Sequence, residues 1–269
     1  MTGDAATAGP EAETVAVENP AAGGDFVIVC EHASNAVPPG FDGLGLDAGA
    51  LASHIAWDPG ALAVARRMAL VLDAPLVAQR VSRLVYDCNR PPDAASAIPE
   101  VSEVYRVPGN TGLSIAARAG RAARFYAPFR DALAGCLDAR LAGGRRPVLL
   151  TVHSFTPVYD GVRRDTGLGI LHDRDRRFAD ALLDVVTGDA ARREGLVVHR
   201  NRPYGPRDGV THTLAAQALP RGLLNAMIEI RNDLVADASS QRAMGDWLAG
   251  CARAALARLG HRAGGRAIA

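Results

Sequence analysis

An α/β fold with a largely parallel sheet covered by helices on both faces is predicted by short apolar runs that alternate with helical patterns. The run FVIVC at Phe26–Cys30 is continuous and apolar, which is typical of a strand buried on both faces. Strands that alternate with helices favour a three-layer, parallel or mixed sheet. The further runs are Pro75–Val77, Leu84–Tyr86, Val148–Val152, Leu168–Leu171, Leu196–Val198 and Ala226–Ile230.

Helical patterns fill the spaces between these runs. Asp58-Pro59-Gly60 is expected to begin a helix through ALAVARRMALVL, with Pro59 at its first position. A longer helix is predicted from about Ser114 to Leu141, where Gly143-Gly144 forms a stop signal. The last two are expected at Arg177–Val186 and Gln241–Leu259.

Length and composition limit the number of domains and the kinds of partner that the protein can have. The 269 residues suit a single domain, expected over residues 25–269 after a mobile tail at 1–24. A net charge of +1 argues against a nucleic-acid or membrane surface, and no apolar run is long enough to span a membrane. Four scattered cysteines without a CxxC pair and the lack of a signal-peptide pattern favour the cytoplasm. The sequence leaves the oligomeric state open.

All 30 basic residues are arginines, so the chain contains no lysine. This excludes Schiff-base chemistry, a lysine general base and the phosphate-binding lysine of a P-loop. Arginine must therefore make every contact in which a cationic side chain other than histidine binds an anion.

Two histidines follow buried strands directly. His32 comes after FVIVC, and His153 comes after PVLLTV. In an open α/β sheet the ends of such strands meet in one crevice, where two imidazoles are suitable ligands for zinc. The alternative is that each histidine only caps the end of its strand by hydrogen bonding. The candidates for a third ligand are Glu31, beside His32, and Asp58. Asp58 has the alternative role of capping the helix that follows it.

Glu229 is a candidate general base. It lies between two isoleucines of AMIEIRND, where a carboxylate is costly to bury unless it is paired or functional. Apolar neighbours would raise its pKa and suit it to accept a proton from water. The alternative is a surface ion pair with Arg231, which the alternation of a strand places on the same face.

The segment Val81–Pro92 supplies candidate substrate-binding groups. If Leu84–Tyr86 is a strand, Arg83, Asp87 and Asn89 share one face, and Arg90 begins the loop that follows. The planar guanidinium suits bidentate binding of a substrate carboxylate, although Arg83 and Asp87 form a structural pair in the alternative reading. The polar, Pro- and Gly-rich segments 90–112 and 200–213 are expected to be ordered and to build the site.

Several blocks along the chain together resemble the N-formylglutamate amidohydrolase family. They occur in order over about residues 26–235: VIVCEHASNAVP, SHIAWDPGA, SRLVYDCNRPP, IPEVSE, VHSFTPVYDGV, LHDRD, NRPYG and IEIRNDL. The resemblance implies a phosphorylase/hydrolase-like α/β fold related to zinc carboxypeptidases. It also implies hydrolysis of an N-formyl or other N-acyl amino acid, a small-molecule substrate.

The same resemblance assigns roles to residues. His32, Asp58 and His153 would hold a divalent metal, for which zinc is expected, and Glu229 would be the base. Arg90 would bind the substrate carboxylate, and the other substrate-binding candidates are Arg83, Asn89, Arg231 and Ser34. Arg202, His212 and Gln217 depart from the family's pattern. The alternative functions are a related peptidase or amidase acting on another small substrate and a non-catalytic ligand-binding protein.

Overall fold

The computed structural model describes residues 14–190 and 195–260. Its centre is a seven-stranded sheet in the order β1-β3-β2-β6-β11-β9-β10. Two short hairpins, β4-β5 and β7-β8, lie outside the sheet. The strands are β1 (Val15–Glu18), β2 (Phe26–Cys30), β3 (Leu76–Gln79), β4 (Val101–Ser102), β5 (Tyr105–Arg106), β6 (Val148–Phe155), β7 (Val158–Tyr159), β8 (Val162–Arg163), β9 (Leu168–Leu171), β10 (Val198–Arg200) and β11 (Asn225–Arg231).

The centre of the sheet is parallel. β2 pairs in parallel with both β3 and β6, and β6 pairs in parallel with β11. Strand β9 runs antiparallel to β11, and β1 runs antiparallel to β3 at the edge. Every residue of β2 and β6 is buried, as expected for parallel strands covered on both faces. The predicted mixed, mostly parallel α/β fold is confirmed.

Six α-helices cover the sheet within the described residues. They are α1 (Ala48–Ala52), α2 (Ala61–Leu72), α3 (Ile115–Arg121), α4 (Ala127–Ala142), α5 (Arg177–Ala190) and α6 (Ala238–Arg258). One core lies between the sheet and α2, α5 and α6, and the second lies between its other face and α1 and α4. In α2 the residues Ala61, Val64, Ala65, Met68 and Leu72 are buried, which is the spacing of one helix face.

The prediction of a mobile tail over residues 1–24 is wrong for its last part, where a strand forms. Residues 1–13 lie outside the described residues, but Val15–Glu18 forms the edge strand β1 against β3. Val15 is buried, whereas Val17 is exposed and Ala16 and Glu18 are half-buried, as expected of a short strand at the edge of a sheet. The sheet therefore begins ten residues before the predicted start of the domain.

The predicted strand at Leu84–Tyr86 is also wrong. Ser82 begins a turn there: its carbonyl accepts a hydrogen bond from Val85 N at 2.9 Å, and its hydroxyl accepts one from Leu84 N at 3.2 Å. The N–H groups of Leu84–Tyr86 therefore all donate to Ser82 and not to a neighbouring strand. The apolar side chains are buried as in a strand, which explains the misleading pattern.

Two helix predictions need smaller corrections. Helix α2 begins at Ala61 with Gly60 as its N-cap, so Pro59 precedes the helix. The long helix from Ser114 is divided by a π-helical turn at Ala122–Tyr126, next to Pro128, which has no N–H to donate. None of the described helices is both long enough and apolar enough to cross a membrane.

Candidate functional site

The site lies where strands β2, β6 and β11 meet, because these strands are neighbours and parallel. His153 lies within β6 and is aligned with Glu229 of β11, so their side chains project from the same face of the sheet. His32 lies two residues beyond the end of β2. Asp58 is tied to the same place because its N–H donates to the carbonyl of His32 at 3.0 Å.

Three buried side chains form a small triangle of donor atoms. The Nδ1 atoms of His32 and His153 are 3.2 Å apart. The Oδ2 atom of Asp58 lies 3.2 Å from the first and 2.8 Å from the second. Zinc–nitrogen bonds of about 2.0–2.1 Å in a tetrahedral site give ligand–ligand separations of about 3.3–3.4 Å. The triangle therefore has nearly the size that a bound zinc ion requires, and its two imidazoles and one carboxylate suit that metal.

Asp58 does not cap helix α2. Gly60 occupies the N-cap position, and no side chain caps the helix. The Asp58 carboxylate instead accepts a hydrogen bond from Ser154 N at 3.3 Å and lies 3.4 Å from Arg83 Nη1. Burial raises the pKa of Asp58, but the two histidines outweigh this and hold it well below its ordinary value. The helix-cap alternative is excluded, and the carboxylate faces the two imidazoles.

Glu31, the other candidate for the third ligand, lies on the far side of His153. Its Oε2 is 3.1 Å from Nε2 of that ring, an ion-pair distance without the angles of a hydrogen bond. The Nδ1 atom, which faces His32 and Asp58, is the opposite ring nitrogen. Asp58 is therefore in position to be a third ligand to the same ion, and Glu31 is not.

Glu229 is buried beside the triangle. Its Oε2 has no hydrogen-bond partner in the part of the chain that the structure describes. Burial raises the pKa of Glu229 to about 7, although the positive charges of His153, His32 and Arg83 oppose the shift. The alternative, an ion pair between Glu229 and Arg231, is not found: Glu229 is buried, and Arg231 binds Asp233 at 2.8 Å. Glu229 thus has the free oxygen and the pKa that a general base needs at neutral pH.

These groups line a pocket of about 390 Å³. His32, Asp58, His153, Glu229, Arg83, Asn89 and Arg90 all contribute to its wall. Ser34 and Arg231 are not among the lining residues, and the Ser34 hydroxyl accepts a hydrogen bond from Ala36 N at 3.1 Å. A concave pocket of this size suits a small-molecule substrate.

The candidate substrate-binding residues differ in how many bonds they already form within the protein. Arg83 binds Asp87 at 2.8 Å and also lies against Asp58, so the structural pairing is the one found. The Asn89 amide donates to the carbonyl of Val210 and accepts from Thr213 N, which anchors the segment 200–213. Arg90 lines the pocket and lies 4.0 Å from its carboxylate neighbour Asp87. Arg90 is therefore the pocket arginine best placed to bind an anionic ligand.

Sequence reasoning missed several lining residues. His54 was not among the candidate residues, but it lines the pocket with its Nε2 atom 2.8 Å from Glu103 Oε2. Tyr204 and Tyr159 also line it, and Arg164 lies over both rings. The signal for Tyr204 was the polar 200–213 segment, which was predicted to build the site. The other lining residues are Ile55, Ser102, Ser154, Phe155, Thr156, Asp208 and Val210.

A sequence model of the N-formylglutamate amidohydrolase family matches residues 24–236, which is most of the chain. The chain belongs to the N-formylglutamate amidohydrolase family. Membership supports an amidohydrolase activity on an N-formylglutamate-like substrate. The predicted family resemblance is confirmed.

Two solved structures share this fold. The chain is 52% identical to a gene product of Agrobacterium tumefaciens of known crystal structure, with a TM-score of 0.89 over 93% of this chain and 97% of that one. It is 19% identical to an N-formylglutamate amidohydrolase from Ralstonia eutropha JMP134, with a TM-score of 0.60 over 92% and 99% of the two chains. At that identity the second likeness shows the shared fold. The chain has no match among the curated proteins.

Proposed function

We propose that this member of the N-formylglutamate amidohydrolase family is a metal-dependent hydrolase of N-formyl or other N-acyl amino acids. One observation carries the proposal. The His32, Asp58 and His153 triangle and the unpartnered Glu229 carboxylate lie in one pocket. The pocket therefore contains three donor groups that suit a divalent metal and a carboxylate that can act as a base at neutral pH.

Each residue has a role in that reaction. His32, Asp58 and His153 would hold the metal, which supplies Lewis-acid chemistry by polarising an amide carbonyl and lowering the pKa of water. Glu229 takes the proton from the attacking water and then delivers it to the departing amine nitrogen. A carboxyl group with a pKa of about 7 can do both, because its two protonation states are nearly equal in energy at neutral pH.

Arg90 binds the carboxylate of the substrate. Arg83 and Arg90 both line the pocket, but Arg83 is held by Asp87 and Asp58. In a chain without lysine, a guanidinium is the cationic group that remains for this contact. Fixing the carboxylate aligns the scissile amide with Glu229, and such alignment contributes to the rate by itself.

The test joins metal analysis with turnover on one preparation. The purified protein should contain about one divalent metal per chain and should release amine from N-formyl and other N-acyl amino acids. His153→Ala should lose the metal and the activity together. A wild-type protein that binds no metal and releases no amine would refute the proposal. Release from short peptides or amidated metabolites alone would assign the site to the related peptidase or amidase function.

A further inference from the structure

We propose that Asp87 is a positioning residue of the metal centre, which holds the His32 ring so that Nδ1 presents its lone pair to the metal. The inference rests on the proposed metal site and goes beyond it, because Asp87 is neither a ligand nor a residue that touches substrate in that mechanism. The carboxylate is buried, and its Oδ1 lies 2.7 Å from His32 Nε2.

The hydrogen bonds around Asp87 determine which nitrogen of His32 carries the proton. Asp87 Oδ1 also accepts from Asn89 N at 2.9 Å, and Oδ2 accepts from Arg83 Nη2 at 2.8 Å. Both oxygens therefore act as acceptors, so the short contact to His32 requires an N–H at Nε2. In a neutral imidazole this leaves the lone pair on Nδ1, the atom that faces His153 and Asp58.

The backbone explains why His32 needs this support more than His153 does. His153 lies inside strand β6 and is paired there with Glu229 of the parallel strand β11, which fixes its main chain. His32 lies in a turn beyond the end of β2, where no strand ladder holds it. A hydrogen bond from the far ring nitrogen to a carboxylate is a common way to orient a metal-bound histidine. Asp87 is itself fixed by Arg83 and Asn89, so it can transmit that constraint.

The proposal is tested by binding of Co²⁺, measured by competition with a chromophoric chelator, in wild type, Asp87→Asn and Asp87→Ala. Loss of the carboxylate in Asp87→Ala should weaken Co²⁺ binding about 10- to 100-fold, the usual effect of removing such a partner. Asparagine keeps an oxygen that can accept from Nε2, so Asp87→Asn should recover part of the affinity. Equal Co²⁺ affinity in all three folded proteins would overturn the proposal.

A spectroscopic measurement separates orientation of the ring from a general loss of stability. In the Co²⁺ protein the N–H protons of ligand imidazoles give paramagnetically shifted NMR signals that exchange slowly when they are hydrogen-bonded. Asp87→Asn should move and broaden one such signal and leave the signal of His153 in place. If neither signal changes, Asp87 does not orient the ring.

Asn110→Ala is the matched control. Asn110 is buried and its amide holds the carbonyl of Leu84, in the same segment that carries Asp87, without touching the metal ligands. It should lower the melting temperature and leave the Co²⁺ affinity unchanged. A wild-type protein that binds no Co²⁺ would contradict the metal site itself, whereas normal binding in wild type and both Asp87 variants would contradict only the role of Asp87.

Discussion

Glu229→Gln should abolish turnover and yet make the metal-free protein more stable at alkaline pH. Burial raises the pKa of Glu229 from 4.5 to about 7. The ionised carboxylate is therefore disfavoured in the folded protein by about 3 kcal/mol relative to water. Glutamine resembles the protonated acid in shape and charge, so it avoids this cost but cannot accept a proton from water.

The sign and the pH window follow from proton linkage. Between pH 4.5 and about 7 the folded protein keeps a proton that the unfolded chain releases, so the wild type loses stability as the pH rises. The variant should exceed the wild type in unfolding free energy by about 1 kcal/mol near pH 5 and about 3 kcal/mol at pH 8. For a chain of this size the latter is a rise in melting temperature of about 6–12 °C.

The assay is thermal and denaturant unfolding of both proteins in a chelator at pH 5 and pH 8, with amine release measured on the metal-loaded forms. Glu100→Gln makes the same chemical change at an exposed position and should alter stability little at either pH. If Glu229→Gln is less stable than wild type at pH 8, favourable contacts hold the ionised carboxylate. The reasoning from burial would then be refuted.

Further variants test the other parts of the site. Asp58→Asn should fold, because Gly60 and not Asp58 is the N-cap, but it should lose stoichiometric metal in elemental analysis if the carboxylate is the ligand that we propose. Arg90→Ala should raise KM roughly 10- to 100-fold for an N-acyl amino acid and far less for its amide, measured by amine release. The wild-type kcat/KM should rise with pH as Glu229 ionises and should level off no higher than about pH 7, because a bound metal cation would lower the pKa of that carboxylate. Gly60→Ala should cost about 1–3 kcal/mol in unfolding experiments, because φ is +81° and the new Cβ would lie 2.6 Å from the carbonyl oxygen of Val235.

The sequence predicted the central strands of the fold well. FVIVC and PVLLTV are apolar except for Thr151, because both faces of β2 and β6 are covered. Such runs are hard to mistake for other elements when helices alternate with them. The strand prediction for Leu84–Tyr86 was wrong for a physical reason. Burial selects apolar side chains whether the backbone hydrogen bonds belong to a strand or to a turn. Strand β1 was missed because four residues carry too little pattern to outweigh the polar residues before them.

The metal site was predictable in part. His32 and His153 could be paired because both come directly after apolar runs that form neighbouring parallel strands, although His153 itself lies within β6. The choice between Glu31 and Asp58 could not be made from the sequence. It depends on which ring nitrogen of His153 each carboxylate faces. The contact of Asp87 with His32 joins residues 55 positions apart, through a turn that has no strand-like register from which to infer it.

Charge balance connects these findings. Four buried carboxylates, those of Glu31, Asp58, Asp87 and Glu229, lie around the two imidazoles and Arg83. Burial lowers the pKa of His153, but the carboxylates of Glu31 and Asp58 outweigh it and raise that pKa well above its ordinary value. Without metal, a proton on His153 therefore compensates the acidic groups, and this stabilisation is lost as the pH rises through the raised pKa. A divalent metal must displace that proton, but it brings two positive charges in return. The proton therefore stabilises the cluster at low pH, and the metal stabilises the same cluster at high pH.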